Sequence, residues 1–174
     1  MAHIHSFAPI ADESARILIL GTMPSKVSLR EQQYYAHSRN LFWKIVGGIL
    51  GIDPGAPYED RVAGLVASRV ALWDVLKSCT RESSLDSDID PTTIVPNDFR
   101  SFLARHAEVR RIFFNGAKAE SLFRRRVLPT LRPDSGIALV PLPSTSPANA
   151  SIPLAKKVRA WGAIAVDDGV ARSI

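Results

Sequence analysis

The sequence contains a single cysteine, Cys79, among its 174 residues. One cysteine excludes an intrachain disulfide and a metal cluster held by cysteines, which suits a reducing compartment. Of the four histidines, His3 and His5 lie in an N-terminal segment that we expect to be mobile. A zinc site could therefore form only by long-range assembly, and we predict a site without a metal.

Long hydrophobic runs are missing as well. No apolar stretch approaches the ~20 residues that a transmembrane helix requires. The first residues, 1–6, lack the basic start and the apolar centre of a signal peptide. These absences predict a soluble cytoplasmic protein that does not bind a membrane.

Several motifs of well-known enzyme classes do not occur. The pattern GxxxxGK[ST] of P-loop proteins and the pattern GxGxxG of dinucleotide-binding folds are absent. The GxSxG motif, which places the nucleophile of α/β-hydrolases, is absent too. A functional site would have to be built from Asn, Asp, Tyr, His and Ser side chains.

Positive charge is in excess. The net charge of +5 and the isoelectric point near 9.7 favour a polyanionic partner, because neutralised phosphates release their counterions.

The length suits one domain, and we expect a single domain over residues 1–174.

Short apolar runs alternate with amphipathic segments along the chain. The runs at residues 16–20, 70–75, 112–114 and 137–140 predict four strands. Helices are predicted over residues 40–51 and 58–68, after an N-cap at Asn97, over residues 116–127, and from an N-cap at Ser151 to Trp161. This alternation is typical of an α/β protein with a mainly parallel sheet covered on both faces. We expect residues 77–96 to form a long loop that is functional or mobile, and the tail after Val166 to fray.

Polar residues follow each predicted strand. They occur in residues 21–25, at Asp74, at Asn115 and in residues 143–150. In open α/β sheets, ligands bind beyond the carboxyl ends of the strands, so these residues should share one rim. The loop of residues 34–43 adds aromatic, His, Arg and Asn side chains. Such a loop can stack on a planar group, bind an anion and hydrogen-bond a polar edge, which predicts a nucleotide ligand.

Five segments together resemble a known family: GTMPS (residues 21–25), YYAHSRNLFW (34–43), LWDV (72–75), FNG (114–116) and PSTSPANA (143–150). They are similar to the uracil-DNA glycosylase superfamily, and most similar to its sixth family, the hypoxanthine-DNA (deoxyinosine) glycosylases. The resemblance extends over about residues 7–165. It implies a single three-layer αβα domain with a four-stranded parallel sheet. It also implies that a damaged base, uracil or hypoxanthine, is flipped out of double-stranded DNA and excised, with no cofactor or metal.

By this resemblance Asn40 is the catalytic residue, which would orient the attacking water or stabilise the transition state. An amide donates and accepts hydrogen bonds at the same time, which suits that role. The alternative is that Asn40 only caps the following helix. Many relatives activate water with an Asp or Asn in the loop after the first strand. Residues 21–25 contain no carboxylate, as in the sixth family, so catalysis should depend mainly on electrostatic positioning.

The resemblance also implies a base-binding pocket, formed by Gly21, Met23, Pro24, Tyr34, Tyr35, Asp74 and Asn115. One of the two tyrosines should stack on the flipped base, while the other belongs to the core, as we expect for Phe42 and Trp43. Asn115 would bind the base, or it is only a turn residue. Asp74 would bind the base edge or anchor the pocket, or it is a buried carboxylate satisfied by backbone donors or by an arginine.

DNA contacts are expected from two loops. Arg39 and His37 would contact phosphates beside the lesion, or His37 would stabilise the leaving base; the alternative is that they brace their own loop. Hydroxyl and backbone groups would bind phosphates at Ser144, Thr145 and Ser146. The minor-groove loop would consist of Pro147, Ala148 and Asn149, with Asn149 filling the space that the small Ala148 leaves. The alternative for this motif is a proline-rich loop that caps the last helix.

A bifunctional glycosylase needs an amine nucleophile. Lys118, Lys156 and Lys157 lie on predicted helices with no sign of desolvation, so we predict a monofunctional enzyme that leaves an intact abasic site. We also expect the enzyme to be a monomer. Two other functions remain open at this point. One is a sensor of damaged or single-stranded DNA without turnover, and the other is a small-molecule hydrolase that uses Ser144 or Ser146 with His37.

Overall fold

The computed structural model describes residues 2–165. Along this part of the chain the strands and helices are β1 (Ala2–His5), β2 (Ile17–Gly21), α1 (Lys26–Glu31), α2 (Phe42–Leu50), α3 (Tyr58–Ala67), β3 (Val70–Asp74), β4 (Leu76–Arg81), β5 (Val95–Pro96), α4 (Phe99–Arg105), β6 (Arg111–Asn115), α5 (Ala117–Leu122), β7 (Ala138–Leu142) and α6 (Leu154–Trp161).

A four-stranded parallel sheet in the order β3-β2-β6-β7 forms the centre of the molecule. All residues of β2 and β3 are buried, as expected for strands covered by helices on both faces. Two apolar clusters lie on the two faces, one around Phe102 and Phe114 and the other around Phe42 and Trp161. The predicted three-layer α/β fold with a four-stranded parallel sheet is confirmed.

The helix predicted over residues 40–51 is present as α2, and it positions the loop before it. Its apolar face is buried against the sheet and α6. It ends at Gly51, whose φ of 74° is the left-handed conformation that favours glycine. Phe42 and Trp43 are buried in the core, as expected.

The N-terminus and residues 77–96 differ from the prediction. β1 is not mobile but pairs antiparallel with β4, and β5 completes a second sheet in the order β1-β4-β5. Short 3₁₀ turns at residues 86–88 and 91–93 fill the remainder of the expected loop. These strands are held by backbone pairing and carry many polar side chains. They therefore lack the apolar runs that reveal strands in a sequence. Residues 2–5, which precede the expected core over residues 7–165, therefore belong to a sheet.

Two predicted helix caps are displaced, and one helix was not predicted. Asp98, not Asn97, caps α4, because its carboxylate accepts from the Ser101 N–H. α6 begins after Pro153 rather than at Ser151. The short helix α1 had no apolar pattern to predict it, and α5 continues into a π-turn at residues 123–127. The expected fraying after Val166 falls outside the described residues.

None of the helices within residues 2–165 has the length and apolar character needed to cross a membrane.

Candidate active site

A cleft of about 980 Å³ opens at the carboxyl ends of the parallel strands. It is bordered by the loops after β2, β6 and β7, by the loop before α2, and by residues 84–86. Every residue that the sequence predicted for the site lines this cleft. The topology therefore brings together segments that are more than 100 residues apart in the chain.

One side of the cleft, which we call the amide wall, consists of Asn40, Asn115 and Thr145. The Asn115 amide group donates to Thr145 Oγ1 (2.9 Å), and its Oδ1 accepts from the Thr145 N–H (2.9 Å). The Thr145 hydroxyl in turn donates to Asn40 Oδ1 at 2.8 Å. These bonds connect the end of β6, the loop after β7 and the loop before α2 in one chain of hydrogen bonds.

The orientation of the Asn40 side chain follows from this network. Its Oδ1 also accepts from the Phe42 N–H at 3.0 Å, at the start of α2. With two donors, the carbonyl oxygen of the amide is fully occupied, since such an oxygen has two lone pairs. The NH₂ group keeps no partner among residues 2–165 and is available to the cleft. Asn40 thus both braces the start of α2 and lines the site.

The two adjacent tyrosines have different environments. Tyr34 is buried; its hydroxyl donates to the Ala8 carbonyl (2.9 Å), and burial raises its pKa. Tyr35 stacks on Phe42, with ring centroids 4.1 Å apart. Tyr34 is therefore the core tyrosine and Tyr35 the better placed for a ligand. Tyr35 has a φ of 55°, an unusual backbone conformation for a non-glycine residue.

The floor of the cleft, which we call the acid floor, consists of Gly21, Tyr35 and Asp74. Gly21 and Asp74 are paired across β2 and β3. A Cβ at Gly21 would lie 2.6 Å from Asp74 Oδ1 and 2.8 Å from the Tyr35 hydroxyl oxygen. Glycine at this position is what allows both oxygens to approach the β2 backbone.

The Asp74 carboxyl is buried, and its side chain accepts no hydrogen bond from any of the described residues. This differs from the alternative of a carboxylate satisfied by backbone donors or an arginine. Arg81, whose charge acts on Asp74, donates instead to the Pro24 carbonyl at 2.6 Å. Burial and, to a smaller extent, the charge of Asp86 raise the pKa of Asp74 to about 7, while Arg81 opposes the shift.

The Tyr35 hydroxyl also lacks a hydrogen-bond partner within residues 2–165. Asn115 lies close enough to oppose the rise in the pKa of Tyr35, but the geometry of a hydrogen bond is not met. The main cause of that rise is burial. The acid floor therefore presents two oxygen atoms that the surrounding residues do not satisfy.

Residues 84–86 line the cleft and were not predicted. They follow β4, in the segment expected to be a long loop. Burial raises the pKa of Asp86, while the Thr22 hydroxyl, Arg81 and Lys118 act in the opposite direction. The short acidic segment had no motif that could have revealed its position. The pairing of β4 with β1 and β5 brings it to the site, where the Lys26 N–H donates to Ser84 Oγ at 2.9 Å.

The rim of the cleft carries positive charge. Arg39 is exposed, and its backbone N–H donates to His37 Nδ1 at 3.1 Å. The imidazole therefore braces its own loop through Nδ1. Its Nε2 and the Arg39 guanidinium have no partner among the described residues and remain available at the rim.

Thr145 differs from its predicted role as a phosphate contact. It is fully buried, its hydroxyl and N–H bind within the amide wall, and its carbonyl accepts from the Leu41 N–H. No polar atom of Thr145 is left for a phosphate. A run of three hydroxyl residues gives no sign of which one faces inward.

The rest of the loop after β7 is braced by its own side chains. The hydroxyl oxygen of Ser144 accepts from the Ser146 N–H, and that of Ser146 accepts from the Ala148 N–H. The Asn149 amide group donates to the Ser144 carbonyl at 3.2 Å. Asn149 is thus held within its loop, whereas Pro147 and Ala148 are exposed at the tip.

Lys157 is desolvated, contrary to the prediction from the sequence. Its side chain is 2% exposed, burial lowers its pKa, and its Nζ donates to the Asn149 carbonyl at 2.7 Å. Lys157 lies outside the lining of the cleft. It holds the loop after β7 against α6, a contact that helical spacing does not reveal.

Within residues 2–165, no group of three or more His, Cys, Asp or Glu side chains is placed to hold a metal ion.

Comparison with known proteins agrees with this geometry. The family model of the uracil DNA glycosylase superfamily matches residues 8–165. A hypoxanthine DNA glycosylase of Methanosarcina acetivorans is 40% identical over 144 residues, which are 82% of this chain and 86% of that protein. A hypoxanthine DNA glycosylase of Methanosarcina barkeri is 38% identical over 114 residues, covering 65% of this chain and 71% of that protein.

A solved structure is similar as well. It is a solution NMR structure of a Methanosarcina acetivorans protein described as a candidate uracil DNA glycosylase. The two folds superpose with a TM-score of 0.77 at 34% sequence identity, over 94% of this chain and 98% of that one.

Proposed function

The chain belongs to the uracil DNA glycosylase superfamily and is a DNA glycosylase that excises deaminated bases, and we propose that Asn40 is its catalytic residue. The observation that carries this proposal is the hydrogen bonding of Asn40. Its Oδ1 is occupied by the Phe42 N–H and the Thr145 hydroxyl, so its NH₂ group is the part that faces the cleft.

A free NH₂ group suits one part of the reaction in particular. The flipped nucleotide loses its base when the C1′–N bond breaks and the bonding electrons move onto the base. Water then adds its oxygen to C1′, and its proton neutralises the departing base. A donor held in advance stabilises the negative charge that develops on the base, without reorganisation during the reaction. The Asn40 NH₂ group donates to that developing charge.

The substrate that this proposal favours is hypoxanthine in double-stranded DNA, with uracil as a second substrate. Both similar glycosylases carry hypoxanthine in their names. Arg39 and the Nε2 of His37 at the rim would contact the phosphates beside the lesion. The exposed tip formed by Pro147 and Ala148 would enter the minor groove. The protein acts as a cytoplasmic monomer, associated with the nucleoid through DNA.

The small-molecule hydrolase receives no support from the hydrogen bonds. His37 uses Nδ1 for the Arg39 N–H, and the hydroxyl oxygens of Ser144 and Ser146 accept from backbone N–H groups. No Ser–His hydrogen bond connects these residues in the part of the chain that the structure describes.

One assay tests the proposed function. Labelled duplexes with a single deoxyinosine or deoxyuridine are incubated with the protein in EDTA and then treated with alkali. We expect strand breaks only after alkali, faster for deoxyinosine, and none with Asn40→Ala. No break with either base would contradict the proposal and favour a sensor without turnover. A break without alkali would contradict the monofunctional mechanism.

A further inference from the structure

The acid floor is the part of the cleft whose polar atoms remain unsatisfied. Asp74 Oδ2 and the Tyr35 hydroxyl are both buried, and neither has a partner among the described residues. A buried polar atom without a partner destabilises the folded state, so native proteins rarely keep one without a reason. Both side chains border Gly21, where a Cβ would lie 2.6 Å from Asp74 Oδ1 and 2.8 Å from the Tyr35 hydroxyl oxygen. Two such side chains in a cleft that receives a base indicate that a ligand supplies the missing partners.

The residues around Asp74 do not explain its retention as a structural anchor. Arg81 is a cation whose charge acts on Asp74, yet its Nη2 donates to the Pro24 carbonyl, and its Nε and Nη1 have no partner among the described residues. Asn97 donates to the Asp74 backbone carbonyl at 2.8 Å and not to the carboxyl. The carboxyl is therefore held in place by its backbone while its oxygens stay free.

Resting on the proposed function, we propose that Asp74 recognises the flipped base as a neutral carboxyl, by donating to a ring carbonyl oxygen and accepting from the adjacent ring N–H. Hypoxanthine presents this pair as O6 and N1–H, and uracil presents it as O4 and N3–H. A protonated carboxyl offers one donor and one acceptor side by side, which complements either base. One residue would then account for both substrates.

The charged and titratable groups around Asp74 favour the neutral form. Burial has the largest effect, and the negative charge of Asp86, in the segment after β4, acts in the same direction, while Arg81 of β4 opposes the shift. Tyr34 and Tyr35 approach from the loop before α2 but carry no charge, because their own pKa values are raised. With its pKa raised to about 7, the carboxyl can hold its proton in neutral solution. An ionised carboxylate would instead repel the carbonyl oxygen of the base.

Asp74→Asn tests this recognition directly, because an amide imitates the neutral acid in shape and in its donor and acceptor. The control is Asp74→Leu, which keeps the branched shape of the side chain but offers neither a donor nor an acceptor. Single-turnover excision of deoxyinosine is measured from pH 6 to pH 8.5 for wild type and both variants. Thermal unfolding of each variant shows that it is folded.

We expect wild-type excision to fall roughly thirtyfold between pH 6 and pH 8.5, because ionisation with a pKa of about 7 leaves only a small neutral fraction. Asp74→Asn should stay within about tenfold of wild type at pH 6 and change less than about threefold over this range. Asp74→Leu should lose about a hundredfold or more at every pH, since the base edge then lacks both partners. Asp74→Asn as inactive as Asp74→Leu, or falling with pH as wild type does, would overturn the inference.

A binding measurement separates this inference from the proposed function. A duplex with 2′-fluoroarabino-deoxyinosine resists cleavage, because the fluorine disfavours the cation-like sugar. If wild type excises neither base, the proposed function fails, but the inference still predicts tighter binding of this duplex at pH 6 than at pH 8.5. It also predicts that Asp74→Asn binds equally at both values. Binding by wild type that does not change with pH would overturn the inference on its own.

Discussion

The amide wall and the acid floor border the same cleft, but they differ in whether their polar atoms have hydrogen-bond partners within the protein. In the amide wall, Asn115 and Thr145 satisfy each other, and Thr145 occupies the Asn40 carbonyl oxygen. In the acid floor, the Asp74 carboxyl and the Tyr35 hydroxyl are buried without partners. A satisfied network fixes side chains before the substrate arrives. We interpret the unsatisfied pair as complementary to the base that enters the cleft.

The two regions are also assembled differently. The amide wall joins residues that are 30 and 105 positions apart in the sequence. The acid floor rests on the register of two neighbouring strands, in which Gly21 faces Asp74. We interpret the wall as the part that positions the chemistry and the floor as the part that recognises the base. Substitutions in each region should therefore have distinct consequences.

The largest effect should come from the NH₂ group of Asn40. Asn40→Asp keeps an oxygen for the Phe42 N–H and the Thr145 hydroxyl but removes the donor. We expect it to retain the melting temperature and to lose about 10²–10³-fold in single-turnover excision. Asn40→Ala should lose the same activity and also ~0.5–2 kcal/mol of stability, because the start of α2 loses its cap. Full activity in Asn40→Asp would show that the wall acts only structurally.

Closing the acid floor should produce the next largest effect. In Gly21→Ala the new methyl group would meet Asp74 and Tyr35 at 2.6 and 2.8 Å. We expect about 1–3 kcal/mol of destabilisation from this overpacking, with excision reduced at least tenfold. The matched control is Gly48→Ala in α2, where a Cβ meets nothing within 4 Å and helix propensity favours alanine by roughly 0.5–1 kcal/mol. If both variants behaved alike in calorimetry and excision, the close approach at Gly21 would have no role.

Breaking the chain of hydrogen bonds at Thr145 should have an intermediate effect. Thr145→Val preserves the shape but removes the hydroxyl between Asn115 and Asn40. We expect a stability loss of ~1–3 kcal/mol, since buried amide groups lose partners, and a roughly tenfold slower excision as Asn40 becomes less constrained. Thr145→Ser, which keeps the hydroxyl, should come close to wild type. A Thr145→Val enzyme with normal excision would argue against preorganisation by the wall.

The remaining prediction concerns stability alone, which should depend on the proton of Asp74. Its pKa is about 7 in the folded protein against the ordinary value of 3.8 for an aspartate, so between these values the folded protein retains a proton that the unfolded chain has released. Stability from this group is complete below the lower value and is lost as the pH rises through about 7. Asp74→Asn cannot lose a proton, so it should exceed wild type in stability at pH 8, on the order of 4 kcal/mol for a shift from 3.8 to about 7. The difference should vanish near pH 4 in thermal melts, and a constant difference would mean that Asp74 does not titrate as described.

The contrast between wall and floor also explains what the sequence could predict. The apolar runs of β2, β3, β6 and β7 and the helical spacing of α2 are strong signals, because burial on both faces requires apolar residues. The predicted strands placed the polar residues that follow them at one rim, and the family motifs pointed to Asn40. The sequence did not indicate which hydrogen bonds form within the rim. The burial of Thr145 and the distinction between Tyr34 and Tyr35 depend on contacts between distant segments.

The second sheet was hidden for a related reason. β1 and β4 are held by backbone pairing, and their side chains include histidine, lysine and threonine. Without apolar alternation, nothing in these residues indicates a strand. The same holds for Lys157, whose buried amine is explained only by the Asn149 carbonyl that it meets in space. Polar contacts between distant segments of the chain could therefore not be predicted from the sequence.

The central claim is that the wall performs chemistry and the floor recognises the base. It is tested most directly by measuring how strongly Asn40→Ala and Asp74→Leu prefer the duplex with uncleavable 2′-fluoroarabino-deoxyinosine over the undamaged duplex, beside their single-turnover excision of deoxyinosine. The account predicts that Asn40→Ala retains the wild-type preference in binding while excision is lost, and that Asp74→Leu loses the preference itself. Loss of the preference in Asn40→Ala, or its full retention in Asp74→Leu, would contradict the account.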